Sequence, residues 1–338
     1  MKAVYIKVPY QFKTVDVQLR DVQADDVLVD VKACGICGSE MMFGGWKAED
    51  WTAIGHEVAG VVEKVGSNVT HVKVGDKVIL MTGAYCGLCE DCRNGRQDLC
   101  NRARNMFAEE SIGFAEKIIV NKQCVVPLKD GIPFDEASVI EPMGVSMDLF
   151  NTTGIELNDD VLVVGLGPIG LMALRFARLA GARKIYAAEF SGNTKRLEVA
   201  KMYGANEIIC TDKVNLADYK FARGGVEKVM VTAPPKVVAS TIPVTLNGGT
   251  IAYLGYGHGD DAYITFEGNA FHENKLSLKA SYAAPALWFP RCMDLMLEGM
   301  IDVKPLITHR VKLEDIESAV LNVRDNRAQT IKSVMIND

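Results

Sequence analysis

Residues 160–170 constrain this chain more than any other stretch. Asp160-Val161-Leu162-Val163-Val164 is an apolar run that passes directly into Gly165-Leu166-Gly167-Pro168-Ile169-Gly170 and then into a helical stretch over 171–180. A strand, a G-x-G-x-x-G turn and a helix in that order open a parallel βαβ unit. The first two glycines let the backbone turn and approach a pyrophosphate. The third allows close helix–strand packing, and the helix N-terminus favours the phosphate charge. The turn leads through a second strand, Lys184-Ile185-Tyr186-Ala187-Ala188, to the acid Glu189. A carboxylate there hydrogen-bonds an adenosine ribose diol and repels a 2'-phosphate, so NAD is favoured over NADP. Gly165, Gly167, Pro168, Ile169, Gly170 and Glu189 form the candidate cofactor-binding set, with Arg196 beside them. Lys195 and Arg196 read as the solvated face of the next helix, although cations so placed keep NADP open.

The α/β pattern begins near residue 151 and continues with strands over 226–231, 250–254 and 276–280, an amphipathic helix over 290–299 and a closing strand over 331–336. The first part of the chain differs. Its short apolar runs at 15–19, 27–31, 57–65, 77–80 and 114–120 are separated by turn signals, as in antiparallel β structure. A length of 338 residues suggests two domains, and an apolar fraction of 49% supplies each with a core. The net charge of -6, with no long Lys/Arg block, argues against a nucleic-acid partner. No apolar run is long enough for a membrane span, and charge interrupts residues 1–7 too early for a signal-peptide core, so the expected location is the cytoplasm. There, nine cysteines read as metal ligands and buried thiols rather than disulfides. No repeat or flexible linker separates the two parts, and a cleft between them is the expected active site.

Two clusters carry chemistry. Cys34-Gly35-Ile36-Cys37-Gly38-Ser39-Glu40 is followed, after a loop with Trp46 and Trp51, by Gly55-His56-Glu57. Thiolate, imidazole, carboxylate and hydroxyl lie within one short span, a set that can bind zinc, keep a coordination position open and move a proton. A lone histidine is more often a hydrogen-bonded core residue, but His56 is accompanied by Cys37, Glu57 and a later acid. That acid is Glu141, in Ile140-Glu141-Pro142, which would otherwise be a helix-start or turn-capping group. The second cluster is Cys86-x-x-Cys89-x-x-Cys92 followed by Cys100, in a lobe over about 84–102. Four thiolates so spaced fold around one tetrahedral zinc with no open site, a structural role. A [4Fe-4S] cluster is the rival, weakened because Asn101, not proline, follows Cys100.

These motifs, in their order, resemble those of the zinc-dependent medium-chain dehydrogenases, near the sorbitol, threonine and polyol branch. Gly113-Phe114-Ala115-Glu116 and Leu306-Ile307-Thr308-His309-Arg310 extend the resemblance over nearly the whole chain. It implies an α/β protein with a GroES-like β-rich catalytic domain over 1–148, a doubly wound Rossmann domain over 149–284, and a return to the catalytic domain over 285–338. It also implies a homo-oligomer, dimer or tetramer, and two zinc ions per chain, one catalytic and one structural. Cys37 and His56 would hold the catalytic zinc with Glu141 or Glu57 and a water, Ser39 would relay the proton, and Cys34 would be a buried neighbour. The implied reaction interconverts a secondary alcohol, such as a polyol, sugar or cyclitol, and its ketone. Threonine-type amino-alcohol oxidation and a non-catalytic role are the alternatives. Two departures stand out: Glu40 replaces the family's Asp, one methylene longer, and Met42 replaces a frequent His, which puts a Ser-to-His relay in doubt. Substrate choice would rest on loops over 41–51 and 283–289, where Trp46 and Trp288 either stack on a sugar or fill core volume.

Overall fold

The computed structural model describes residues 1–106, 112–283 and 288–338. The chain divides into two compact units, Met1–Gly144 with Ala283–Asp338, and Val145–Tyr282.

The inner unit is built on six parallel strands in the order Glu207–Cys210, Lys184–Glu189, Asp160–Val164, Val226–Val231, Thr245–Tyr253, Ser277–Ala280. Numbered along the chain this is 3-2-1-4-5-6, the doubly wound Rossmann order. Asp160–Val164 lies in the middle and is buried throughout, which is why it reads as a continuous apolar run rather than an alternating one. The core gathers Leu162, Val164, Tyr186, Val229, Val231 and Ile251. Tyr186 is fully buried, packs edge-on against Phe221 at 4.8 Å, and its hydroxyl accepts the Ala222 N–H at 2.9 Å, so its one polar atom is satisfied. The helix expected over 171–180 is Pro168–Leu179. It starts earlier because Pro168 occupies the first turn, where its missing N–H costs nothing. The strand expected at 250–254 is Thr245–Tyr253, since the register shifts between Val226 and Lys228 and the strand carries on through Gly248 and Gly249 as an irregularity.

The outer unit holds a seven-stranded, mostly antiparallel sheet in the order Val125–Pro127, Lys77–Leu80, Glu57–Val65, Asp26–Gly35, Lys332–Ile336, Ile307–Val311. Asp26–Gly35 is long enough to pair Lys117–Asn121 along its first half and the C-terminal strand along its end, with Cys34 opposite Met335 and Gly35 opposite Val334. The last strand of the chain is thereby set beside the first cysteine motif. A second sheet joins Gln11–Asp16, Lys2–Lys7 and Thr52–Ala53. Its first member was expected at 15–19 and lies earlier because a hairpin with Lys2–Lys7 fixes the register, Lys2 facing Asp16 and Lys7 facing Gln11. The strand expected at 114–120 is Lys117–Asn121. Phe114 is bonded elsewhere, its N–H to the Ile54 carbonyl at 3.0 Å and its carbonyl to the Val4 N–H at 2.9 Å. Ile307–Val311 pairs with the closing strand, although Thr308, His309 and Arg310 hide it from an apolar-pattern reading. Among the described residues no helix is long and apolar enough to cross a membrane.

Candidate active site and metal centres

The end of Asp26–Gly35 delivers Cys37 to the N-terminus of the short helix Gly38–Met42, and His56 stands immediately before the adjacent strand Glu57–Val65. Because Gly35 faces Glu57 across the ladder, the two motifs meet: one ligand atom each of Cys37, His56 and Glu57 lies within 4.8 Å of the others. Thiolate, imidazole and carboxylate at such separations suit a single zinc ion. Gly35 is required here by close approach, since a Cβ at that position would lie 1.9 Å from Glu57 Oε2. His56, Glu57 and Glu141 are all buried.

Glu40 is wholly buried beneath this group. Its Oε2 accepts the Cys37 N–H at 2.7 Å, and its Oε1 accepts the Gly55 N–H at 3.4 Å and stands 3.6 Å from His56 Nδ1. The imidazole thus turns Nδ1 to a carboxylate, which leaves Nε2 as the nitrogen open to a metal. Burial alone would push the His56 imidazole down, but Cys37 and Glu40 outweigh it and the net shift is strongly upward. Ser39 carries a buried hydroxyl with no hydrogen-bond partner among the described residues. Met42 is buried in the apolar core and offers no relay. Burial, reinforced by the Glu40 and Glu57 charges, holds the Cys34 thiol well above its usual range, in keeping with a neutral neighbour. Trp46 is more than a third exposed, so the reading of it as core filling fails.

Glu141 sits in the first turn of the helix Ile140–Thr153, a helix the apolar run around it conceals. Pro142 is tolerated because first-turn N–H groups have no intrahelical acceptor. Burial, against the opposing pull of His56, raises the Glu141 carboxyl to about 7. The close trio contains Glu57 and not Glu141. Glu57, however, is already engaged by a residue that sequence reasoning passed over. Lys332, in the C-terminal strand, is 2% exposed and its ammonium donates to Glu57 Oε1 at 2.6 Å, Glu57 Oε2 at 2.7 Å and the Ile36 carbonyl at 3.0 Å. Burial lowers the Lys332 pKa, but Glu57 and Cys37 more than reverse it and the ammonium is strongly held. The signal was a buried lysine at the start of the closing strand Lys332–Ile336, whose last three residues are apolar.

The four-cysteine lobe is equally compact. Cys86 and Cys92 sulfurs are 3.9 Å apart, as are those of Cys89 and Cys100, and all four lie within 4.8 Å of one another. Sulfurs about 2.3 Å from a tetrahedral zinc are roughly 3.8 Å apart. The space takes one ion and leaves no room for an eight-atom iron–sulfur cube. Backbone N–H groups of Leu88 and Cys89 donate to Cys86 Sγ at 3.4 and 3.3 Å and draw that thiol down to about 6, while burial pushes Cys92 up to about 12.

In the inner unit the Gly165 turn takes the expected shape. Gly165 has a φ of +90°, and a Cβ on Gly170 would lie 2.0 Å from the Gly165 carbonyl oxygen, so helix and turn meet only through glycine. The Glu189 carboxylate ties this turn together, Oε2 accepting the Leu166 N–H at 2.9 Å and Oε1 the Phe190 N–H at 2.9 Å and the Asn193 amide at 3.0 Å. Lys195 is half exposed, as a solvated face would have it. The same expectation is corrected for Arg196, whose side chain is 14% exposed and reaches to 3.6 Å from Glu189.

Comparison with known proteins agrees with this geometry. Residues 23–130 match the alcohol dehydrogenase GroES-like domain and residues 168–298 the zinc-binding dehydrogenase domain. An L-threonine 3-dehydrogenase of Rhizobium etli is 30% identical over 93% of this chain and 92% of its own. This chain belongs to the zinc-dependent medium-chain dehydrogenase family. A sorbitol dehydrogenase of Bacillus subtilis is likewise 30% identical, over 95% of this chain and 92% of its own. A crystal structure of a zinc-binding dehydrogenase from Sinorhizobium meliloti 1021 bound to NADP superposes with a TM-score of 0.88 at 25% identity, covering 99% of both chains. This medium-chain dehydrogenase is an enzyme, a zinc alcohol dehydrogenase acting on a small molecule. The loop expected to shape its pocket at 283–289 lies partly outside the described residues, at 284–287.

Proposed function

We propose that this dehydrogenase interconverts a secondary alcohol of the polyol, sugar or cyclitol type and its ketone with NAD, using a catalytic zinc held by Cys37 and His56 and completed by Glu141 or Glu57, beside a structural zinc held by Cys86, Cys89, Cys92 and Cys100. The observation that carries the reading is the meeting of Cys37, His56 and Glu57 within 4.8 Å beside Ser39, whose buried hydroxyl has no partner among the described residues. When bound, zinc supplies a Lewis acid that makes an alcohol hydroxyl more acidic, and the nicotinamide supplies the hydride acceptor.

The chain's own residues do the rest. The Cys37 thiolate and the His56 imidazole are the donors, and Glu40 fixes both, through the Cys37 N–H and the His56 Nδ1 side. Ser39 Oγ would take the alcohol proton, and the buried apolar Met42 offers no group to carry it further. The Gly165 turn and the start of the helix Pro168–Leu179 would hold the pyrophosphate. Glu189 supports NAD as the coenzyme by offering a carboxylate where a 2'-phosphate would have to sit. Arg196, drawn to Glu189, belongs to the same ribose corner. The enzyme acts as a homo-oligomer, dimer or tetramer, and in the cytoplasm.

The sorbitol dehydrogenase relative supports the polyol reading, and the threonine 3-dehydrogenase relative supports a second one, oxidation of an amino alcohol. A panel of polyols, sugar acids, inositols and L-threonine, followed by NADH absorbance, separates them. Turnover of a polyol or cyclitol well above that of L-threonine is expected. Preferential turnover of threonine would move the assignment to the second reading, and silence across the panel would sink both.

A further inference from the structure

The helix Gly38–Met42, which carries Ser39, is five residues long, too short to hold itself together in water. Glu40 fixes its start through the Cys37 N–H. Its far end runs directly into a π-helical turn, Phe43–Lys47, and the hold on that end comes from the beginning of the chain. The Tyr10 hydroxyl donates to the Met41 carbonyl at 3.0 Å, the Tyr10 N–H to the Gly44 carbonyl at 2.9 Å, and the Val8 N–H to the Ala48 carbonyl at 2.9 Å. Residues 8–10 thus reach across to the whole of the segment 41–48.

The fit is close as well as bonded. A Cβ on Gly44 would lie 2.7 Å from the Tyr10 ring, and one on Gly45 would lie 3.3 Å from the Tyr10 hydroxyl. Adjacent glycines weaken a helical turn because they lose the most freedom on folding, and here the ring lying against them requires both. The Arg324 guanidinium, at the end of the helix Ile316–Asp325, stands 4.5 Å from the centroid of the same ring. Tyr10 itself has a φ of +51°, a conformation that is unfavourable for a bulky side chain and persists only where its surroundings enforce it. A helix departs from α geometry where a group inserts into its ladder, and π turns recur at functional sites. The inserted group is the Tyr10 hydroxyl, and the π turn begins two residues after the carbonyl it takes.

Resting on the reading of Ser39 as the group that takes the alcohol proton, we infer that Tyr10 is a positioning residue for that hydroxyl. Tyr10 clamps the C-terminal end of the Ser39 helix while Glu40 clamps its start, so Ser39 is held beside Cys37 and His56 from both ends. Loss of the Tyr10 clamp leaves the metal donors in place, because Cys37 and His56 keep Glu40, and lets the relay hydroxyl drift.

The test compares full-length, zinc-loaded wild type with Tyr10→Phe, which removes only the hydroxyl, and Gly44→Ala, which sets a methyl against the ring. Amide hydrogen exchange is read by mass spectrometry, and kcat with the panel alcohol that wild type oxidises fastest. In Tyr10→Phe, exchange over 38–48 rises about fivefold or more while the inner unit exchanges as in wild type. A small displacement of a reacting group is costly, so kcat falls about tenfold or more, with zinc content and the KM for NAD unchanged. Gly44→Ala shows the same local change and the same loss. Wild-type exchange over 38–48 in Tyr10→Phe would overturn the inference, as would local loosening with wild-type kcat, or zinc lost together with kcat. Exchange that rises evenly over the chain would reduce Tyr10 to a general stabiliser and overturn it too. A wild type silent across the panel would instead remove the proposed function, and the exchange arm would then decide the clamp by itself.

Discussion

Glu40→Ala tests how far the metal donors depend on the carboxylate beneath them. Glu40 is fully buried, so its bonds are made away from bulk water. Its 2.7 Å bond to the Cys37 N–H is charge-assisted, worth about 1.5–3 kcal/mol, and its loss leaves that N–H buried without an acceptor. The longer contacts to Gly55 N–H at 3.4 Å and His56 Nδ1 at 3.6 Å add less in stability and more in orientation. A net loss of about 2–3 kcal/mol would lower Tm by roughly 4–12 °C on the scaling for domains of this size. Releasing the His56 ring and the Cys37 backbone together weakens metal binding by about 10–100-fold, the usual cost of removing an outer carboxylate. Glu40→Asp falls between: one methylene shorter, it keeps the Cys37 N–H or the approach to His56 but not both. The assays are thermal unfolding and competition with a chromophoric chelator. A Glu40→Ala protein whose Tm and zinc affinity match wild type would refute the claim that this carboxylate holds the donors.

Three further outcomes are expected. Gly170→Ala places a methyl 2.0 Å from the Gly165 carbonyl and must spread the turn, so NADH binding measured by fluorescence titration weakens at least about tenfold, and unchanged affinity would contradict the close helix–turn packing. Cys92→Ser removes one of four thiols, so elemental analysis falls by about one zinc per chain and Tm drops, whereas full zinc content with an unchanged Tm would exclude the four-sulfur shell. Glu189→Ala removes the charge that repels a 2'-phosphate and releases Arg196 at the same corner, so the ratio of kcat/KM for NAD over NADP falls, and an unchanged ratio would show that Glu189 only braces the turn.

Most of the fold was legible because its signals are local. Asp160–Val164 and the glycines after it need only their own sequence to declare a buried strand and a phosphate turn, and both lie where the spacing put them. The errors came where partners overrode local pattern. Gln11–Asp16 is placed by a hairpin with Lys2–Lys7, and Ile307–Val311 is a strand because Lys332–Ile336 lies beside it, although its own middle is polar. The candidate site divides in the same way. Cys37, His56 and the four-cysteine spacing carry their chemistry in residue type and order. Lys332 does not: a lysine 275 positions from Glu57 becomes its partner only through two strand pairings that no short motif encodes. Arg196 was read as solvated because helix periodicity cannot see that Glu189, at the end of the preceding strand, faces it across the loop.

The central claim is that Cys37 and His56 hold a metal on which NAD-linked alcohol oxidation depends. Zinc content and NADH formation, measured together on wild type and His56→Ala, test it most directly. The account predicts about two zinc ions per wild-type chain, about one in His56→Ala with the fold intact, and loss of turnover in that variant. A His56→Ala protein that keeps full NAD-dependent turnover would contradict it.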